Sequence, residues 1–451
     1  MIINKTYKFR LYPTSEQEQM LLQQTGNSRF VWNKLVEFNK KYKEEYDKFP
    51  TQLILQKQII ELKKEFEFTK LTHSQPLQIN AKRIVKVVTK AFKPEAIQAR
   101  KQKIAKTIAE KTKKEKKYPN YNHKKAMAKA FNYGFPHFKR KANMRGSLFY
   151  PQNFKIKRSR IFFAKLGWIH YIKHREIEGN PKNVTITQDG NQWYVSICCE
   201  VKIKETVKPS IDNANIIGID VGIKEFATFS DSTVIHNPRI LKKYSKKLKK
   251  EQKKLSKREF IEKEIKEEIK KVSSNNRNKQ RTKVQNIHRK IRNIRKDFLH
   301  KITHDIITKY DGVTLETLNI KDMLQKNDKS QNRNTCDISW YEFSRMLEYK
   351  CLWNSKYFHK IDEYFASTKT CSECGNKQEM LLEERTYLCK ACGNKLDRDY
   401  NASINIKREG ISCLKKANYT TVGTMGSYAC GQSPLGDWLK QEKREKIQAI
   451  A

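Results

Sequence analysis

The chain has 451 residues, and its 94 lysine and arginine residues outnumber its 48 aspartate and glutamate residues, for a formal net charge of +46 at pH 7. Such a charge favours a long polyanionic partner, RNA or DNA, because the chain would otherwise repel itself. A membrane protein or a membrane-surface role is disfavoured, because the mean hydropathy is −0.82 and no apolar run approaches the roughly 20 residues that cross a bilayer. The length favours about three domains of roughly 150 residues each.

Helical patterns dominate the first 131 residues. The opening segment from Ile2 to Tyr12 alternates like a strand, and Pro13 and Thr14 introduce a helical pattern from about Glu16. Residues 80–92 predict an amphipathic helix. Its apolar stripe, expected in the core, consists of Ile84, Val85, Val88, Ala91 and Phe92. The opposite side carries three candidate phosphate contacts, Lys82, Lys86 and Lys90. The lysine-rich segment 101–117 fits either a solvated loop or an RNA contact.

Aromatic and basic residues alternate after residue 131, a composition suited to stacking on unpaired bases beside a neutralised backbone, although a ring in a strand is more often core. The candidate nucleic-acid contacts here are Lys139, Arg140, Lys141, Lys155, Lys157 and Arg158. Strand patterns over 160–164, 183–187 and 192–198, with a turn at Asp189 and Gly190, predict an antiparallel sheet or a small barrel.

Acidic residues follow two apolar runs that read as buried strands. Asp220 ends the run from Asn215, and Glu316 ends the run from Gly312. A third acidic motif, Asp397 to Asp399, precedes a segment to Ile406 whose spacing fits a short helix or strand. Each motif alone is more often a turn or a cap. Together they suit two-metal phosphodiester hydrolysis, which needs several carboxylates around two hard cations roughly 4 Å apart.

A basic stretch from about Leu241 to His300 separates the first two acidic motifs. Its sparse apolar residues, among them Ile265 and Ile269, predict two amphipathic helices broken near 273–276. The pair fits either a solvated helical hairpin or one laid along a nucleic-acid duplex.

Two Cys-x-x-Cys pairs lie between the second and third acidic motifs. Their four cysteines, Cys371, Cys374, Cys389 and Cys392, have the spacing of a structural zinc site, whose thiolates leave no open position for water. A pair of disulfides is the alternative, and the absence of a secretory signal disfavours it. Thr368 and Lys369, just before the first pair, are candidate nucleic-acid contacts. The chain has no HExxH motif and no P-loop.

These motifs resemble the signature of the TnpB family, transposon-encoded relatives of type V CRISPR effectors. The resemblance is carried by segments 218–222, 315–319, 367–375 and 397–406, with further matches at 7–14, 26–33, 167–169, 340–343, 347–350 and 429–431. It implies that Asp220, Glu316 and Asp399 are the catalytic residues of a RuvC-type, ribonuclease-H-like site and hold two Mg²⁺ ions, while one Zn²⁺ is structural. Asp399 is preferred to Asp397, which is either an outer-shell acid or a turn residue, because Asp399 and Asn401 fill the family's Asp-x-Asn motif.

The resemblance also implies a mixed fold: an α/β nuclease domain with an inserted zinc ribbon, and an N-terminal wedge β-barrel split by a helical recognition lobe. The expected map is wedge at 1–20 and 132–210, recognition lobe at 21–131, nuclease at 211–366 and 397–412, zinc ribbon at 367–396 and a C-terminal tail at 413–451.

The expected function is RNA-guided cutting of double-stranded DNA beside a short transposon-adjacent motif, with a guide RNA from the transposon end. The expected location is the cytoplasm of a bacterium or archaeon, on the nucleoid. The alternatives are a guide-dependent repressor that does not cut, a miniature type V CRISPR effector and a transposase that joins strands itself.

Overall fold

A computed structural model describes residues 1–111, 122–140, 146–203, 207–258, 260–265, 268–320, 323, 329–381 and 384–419. The chain divides into two compact units, Met1–Ile203 and Lys204–Ala451. No helix within the described ranges is both long enough and apolar enough to cross a membrane.

The first unit holds a seven-stranded antiparallel sheet with helices inserted after its first strand. In chain order its elements are β1 (Ile2–Tyr12), α1 (Ser15–Tyr46), α2 (Gln52–Glu65), α3 (Ser74–Ala91), α4 (Pro94–Ala109), α5 (His123–Phe131), β2 (Ser147–Tyr150), β3 (Phe154–Lys157), β4 (Arg160–Phe163), β5 (Gly167–Tyr171), β6 (Asn180–Asp189) and β7 (Gln192–Lys202).

The sheet has the strand order β2-β6-β7-β1-β5-β4-β3. Alternating burial places Tyr7 and Phe9 of β1 in the core beside Val195 of β7, as the period-two sequence pattern predicts. The turn predicted at Gly190 is present, and its φ of 64° is one that glycine adopts freely. The end strands β2 and β3 do not pair with each other within the described part of the chain. The predicted antiparallel sheet is therefore confirmed, and it is an open sheet rather than a closed barrel.

The helices α1, α2 and α3 pack around a second core in this unit. Thr14 and Gln17 form a capping box that starts α1, one residue before the predicted start. On the predicted stripe of α3, Ile84 is fully buried, but Phe92 follows the helix and is 50% exposed, so its core assignment was wrong. The segment 101–109 lies in the helix α4, so the loop alternative was wrong there, while the RNA contact stays a prediction and 112–121 falls outside the described residues.

The second unit is built on a five-stranded mixed sheet. In chain order its elements are β8 (Ile216–Val221), β9 (Glu225–Phe229), β10 (Val234–His236), α6 (Ile240–Ser256), β11 (Phe260–Ile265), β12 (Glu268–Ser273), α7 (Asn275–Lys309), β13 (Gly312–Leu315), α8 (Lys329–Ile338), α9 (Trp340–Trp353), β14 (Tyr357–Lys360), β15 (Thr386–Leu388), β16 (Lys395–Asp397) and α10 (Arg398–Tyr419). The strand order is β10-β9-β8-β13-β14, with β8, β13 and β14 parallel and β9 and β10 antiparallel to their neighbours. This is the expected ribonuclease-H-like sheet.

The basic stretch is not helical throughout. The strands β11 and β12 pair in antiparallel fashion between α6 and α7, so the helical prediction was wrong over 260–265 and 268–273. The four-residue spacing of Ile265 and Ile269 suits a helix, but Ile265 ends β11, whereas Ile269 lies on β12 and pairs with Glu264. The predicted break near 273–276 is confirmed, because Ser274 caps α7 by accepting the N–H of Arg277.

The helix α10 packs directly on the strands through two glycines. A Cβ on Gly218 of β8 would lie 2.2 Å from the carbonyl oxygen of Ser403, and a Cβ on Gly410 of α10 would lie 2.2 Å from Thr314. The sequence allowed a short helix or strand to Ile406, whereas α10 continues to Tyr419, past the expected domain boundary at 412. This close packing fixes the start of α10 above the ends of β8 and β13. The tail from 420 onward lies outside the described residues.

Candidate active site and metal centre

Two of the predicted acids lie side by side at the ends of parallel strands. Ile219 of β8 pairs with Leu315 of β13, so Asp220 and Glu316 follow at the same edge of the sheet. The N–H of Val221 donates to Glu316 Oε1 over 3.2 Å, and Asp220 is only 9% exposed. The fully buried strands β8 and β13 therefore deliver two carboxylates to one position.

The third acid enters from the first turn of α10. Asp397 Oδ1 accepts the N–H groups of Asp399 and Tyr400 at 2.9 and 3.0 Å, so Asp397 acts as a cap of this helix. The Asp399 carboxylate accepts from Arg398 Nη2 at 3.0 Å and from Arg385 Nη1 at 3.4 Å. Neither arginine was singled out in the sequence, and the contact of Arg385 with Asp399 depends on how the ribbon meets α10.

The acids perturb one another. Burial raises the pKa of Asp220 well above its ordinary value, and the negative charges of Glu316 and Asp399 raise it further. Burial also raises the pKa of Glu316 to about 7, although the N–H of Val221 opposes the shift. The neighbouring carboxylates of Asp220 and Glu316, with raised pKa values, are costly in isolation, and a divalent cation would offset that cost. Carboxylate oxygens are the ligands that Mg²⁺ prefers, so the donor set fits the ion.

The four predicted zinc ligands converge. The sulfur atoms of Cys371, Cys374, Cys389 and Cys392 all lie within 4.8 Å of one another, and within the described ranges this is the one group of three or more histidine, cysteine or acidic residues that does so. The sulfur atoms of Cys371 and Cys392 are 3.7 Å apart and those of Cys374 and Cys389 are 3.6 Å apart, much longer than the roughly 2.05 Å of a disulfide, and all four cysteines are free.

Each pair forms a tight knuckle. Gly375 and Gly393 follow the second cysteine of each pair at φ values of 74° and 72°, and donate to the carbonyls of Cys371 and Cys389 at 3.0 and 2.9 Å. The backbone N–H of Cys392 lowers the pKa of Cys389 to about 6, which favours the thiolate that zinc needs. The donor set therefore fits a structural Zn²⁺.

The ribbon is fastened to α10. Asn401 accepts the N–H of Ser372 at 2.9 Å and donates to the carbonyl of Thr370 at 2.8 Å. Asn405, one turn later, donates to the same carbonyl at 2.7 Å. Asn401 of the Asp-x-Asn motif thus holds the ribbon against the helix that carries Asp399, and Asn405 extends this contact without having been singled out in the sequence.

A basic cavity of about 610 Å³ opens beside α6. Its lining is Ile223, Lys224, Asn237, Arg239, Leu241, Lys242, Ser245, Lys249, Asp337 and Arg385. The acid among them, Asp337, already pairs with Arg295. Since Arg385 both lines this cavity and contacts Asp399, the positive surface reaches the acidic site.

The predicted nucleic-acid contacts differ in their surroundings. Those that are exposed and have no acidic partner among the described residues are Arg140, Lys155, Lys157 and Arg158. Lys369 pairs with Glu379 at 2.7 Å, and Thr368 beside it is half-buried. Lys139 lies with its ammonium nitrogen 3.7 Å from the centre of the Trp32 ring. Lys141 lies outside the described residues.

Three family models match the chain. They are described as "Cas12f1-like, TNB domain" at residues 340–406, "Probable transposase" at 196–327 and "Helix-turn-helix domain" at 1–48. The last match covers β1 and all of α1, where this structure has a strand followed by one continuous helix.

Similar proteins extend the comparison along the whole chain. "Putative RNA-guided DNA endonuclease InsQ" of Escherichia coli (strain K12) is 30% identical, over 99% of this chain and 99% of that protein. "TnpB-like protein L79" of Acanthamoeba polyphaga mimivirus is 28% identical, over 51% of this chain and 44% of that protein. The solved "Cryo-EM structure of the Cas12f1-sgRNA-target DNA complex" aligns over 90% of this chain and 99% of its own, with a TM-score of 0.43 and 17% identity.

Proposed function

The chain belongs to the TnpB family, and from that premise we propose that it is an RNA-guided DNA endonuclease whose catalytic residues are Asp220, Glu316 and Asp399. The observation that carries the proposal is the meeting of Asp220 and Glu316 at one buried sheet edge, with Asp399 close enough to raise the pKa of both. A relative described as an RNA-guided DNA endonuclease spans the whole chain.

The three carboxylates would hold two Mg²⁺ ions. When bound, such ions lower the pKa of an attacking water and stabilise the charge that develops on the phosphate. The N–H of Val221 orients Glu316, and the Asp397 cap orients the first turn of α10 and with it Asp399. The protein thus fixes the ligand positions before the substrate arrives, which avoids reorganisation during the reaction.

The other features have supporting roles in this proposal. One Zn²⁺ at the four cysteines would fold the ribbon, which Asn401 ties to α10. The basic cavity beside α6 would neutralise the backbone of the strand that enters the site. Base pairing with a guide RNA from the transposon end would select the target, and the protein would read a short adjacent motif. The site of action would be the nucleoid in the cytoplasm of a bacterium or archaeon.

The test is cleavage of a plasmid library that carries one target beside randomised flanks, by protein copurified with RNA from its own locus, in magnesium buffer. Loss of particular flanks with the parent, but not with Asp220→Ala, is the expected result and identifies the motif. Binding without cutting by the parent would instead support a guide-dependent repressor. Strand joining that needs no guide would support a transposase.

A further inference from the structure

A short segment after α5 is fastened to α1 and presents Lys139 in a fixed position. Trp32 Nε1 donates to the carbonyl of His137 at 2.9 Å. The side chain of Asn33 accepts the N–H of Lys139 at 2.7 Å and donates to its carbonyl at 3.1 Å. These three hydrogen bonds hold the backbone of Lys139 before any ligand arrives.

Two cations of this unit, Lys139 and Arg83, each lie on an aromatic face. The Lys139 ammonium is 3.7 Å from the centre of the Trp32 ring, and the central guanidinium carbon of Arg83 on α3 is 5.7 Å from that of Phe149. Ring faces attract cations and restrict their motion, but they carry no net negative charge.

The two side chains lack acidic partners. Neither forms an ion pair or a hydrogen bond within the part of the chain that the structure describes, and the adjoining residues 141–145 include no acid. Burial around the ammonium, together with the positive charge of Arg83, lowers the pKa of Lys139 to about 8, and burial lowers the pKa of Arg83. The residue Lys139 as a whole remains exposed, so a ligand can reach it.

We propose that Arg83 and Lys139 together form a preformed binding site for one phosphodiester of a nucleic-acid backbone. A phosphodiester carries a single negative charge and can serve as the anionic partner of both cations. Its two free oxygens can accept hydrogen bonds from the guanidinium fork and from the ammonium at once. The aromatic rings and the clamp on α1 reduce the entropy lost when the ligand binds. The inference rests on the proposed nucleic-acid function and specifies one contact within it.

The test measures how binding by the full-length chain depends on salt in two arms. The first arm uses labelled RNA recovered from the copurified complex, and the second uses the RNA-loaded protein with a short target duplex. The variants are Arg83→Gln, Lys139→Gln and the double variant. Lys57→Gln, on an exposed face of α2, is the control with the same charge change.

For the variants at Arg83 and Lys139, the slope of log affinity against log salt is expected to become shallower in one of the two arms. The change is about 0.7 if the phosphate belongs to single-stranded RNA, or about 0.9 if it belongs to the duplex. The double variant should lose no more than about one contact, because both residues bind the same phosphate. Lys57→Gln and Lys139→Arg should keep the parental slope. A reduced slope for Lys139→Arg would indicate a purely structural role and overturn the site.

Parental slopes for the double variant in both arms would also overturn the site. If the parent still performs guided cleavage in that case, the proposed function stands and the phosphate site alone fails. A parent that binds neither probe would refute the proposed function and the site together.

Discussion

The packing of α10 on β8 gives a prediction that links the fold to the chemistry. In Gly218→Ala the new Cβ would lie 2.2 Å from the Ser403 carbonyl oxygen and 2.6 Å from the backbone nitrogen of Lys407. Ordinary contacts begin at 3.4 Å, so the shortfall is 3.4 − 2.2 = 1.2 Å, and it is against backbone that cannot rotate away. The helix must therefore move off the strand by about 1 Å.

This displacement has two expected costs. Overpacking of this kind destabilises by about 1–3 kcal/mol, which corresponds to a Tm lower by about 2–4 °C per kcal/mol for a unit of this size. Ser403 lies one turn after Asp399, so the carboxylate moves with the helix. A displacement of about 1 Å from productive geometry costs roughly 100-fold in rate.

The assay is single-turnover cleavage beside thermal unfolding of the guide-loaded protein. Gly26→Ala on α1 is the matched control, because its Cβ would meet only the flexible side chain of Arg29, at an ordinary distance of 3.8 Å. At temperatures well below its Tm, Gly218→Ala should cleave more slowly than the parent. The control should keep a cleavage rate and a Tm near those of the parent. A Gly218→Ala protein with parental Tm and parental rate would refute the packing argument.

Three further predictions address the acids and the ribbon. Glu316 has its pKa raised from 4.5 to about 7 in the folded protein, so its favourable contribution is fully present below pH 4.5 and is lost as pH rises through 7. Without magnesium, the free energy of unfolding of the parent should therefore fall by about 3 kcal/mol relative to that of Glu316→Gln between pH 4.5 and 8. Equal pH profiles of the two proteins would exclude the raised pKa of Glu316. Asp397→Ala should destabilise α10 by about 1 kcal/mol and slow cleavage, while Asp397→Asn, which keeps the cap, should not; equal Tm values for the two variants would exclude capping. Cys389→Ser should remove one bound zinc by metal analysis and, because Asn401 ties the ribbon to α10, reduce cleavage roughly tenfold or more; retained zinc would contradict the four-thiolate site.

The sequence was most informative where one local signal determines the structure. The apolar runs before Asp220 and Glu316 are buried strands, and parallel pairing brings their ends together. The knuckle spacing of the cysteines likewise predicted their convergence. The strands β11 and β12 were missed because Ile265 and Ile269, four residues apart as on one helix face, lie on two different strands.

Other features depend on contacts between distant segments, which no local pattern encodes. Arg385 reaches Asp399 only because the ribbon folds back on α10. Lys139 looked like one of several basic residues, but its clamp to Asn33 and its ring contact with Trp32 distinguish it from Lys155 and its neighbours.

The central claim is that three acids perform guided cleavage, and its most direct test is the single-turnover rate on a plasmid with the identified flanking motif. The variants are Asp220→Ala, Glu316→Gln and Asp399→Ala, with Asp297→Asn, an exposed acid on α7, as the control. The account predicts that each of the three abolishes cutting while guide RNA binding and the control rate stay parental. Cleavage at the parental rate by any one of the three would contradict it.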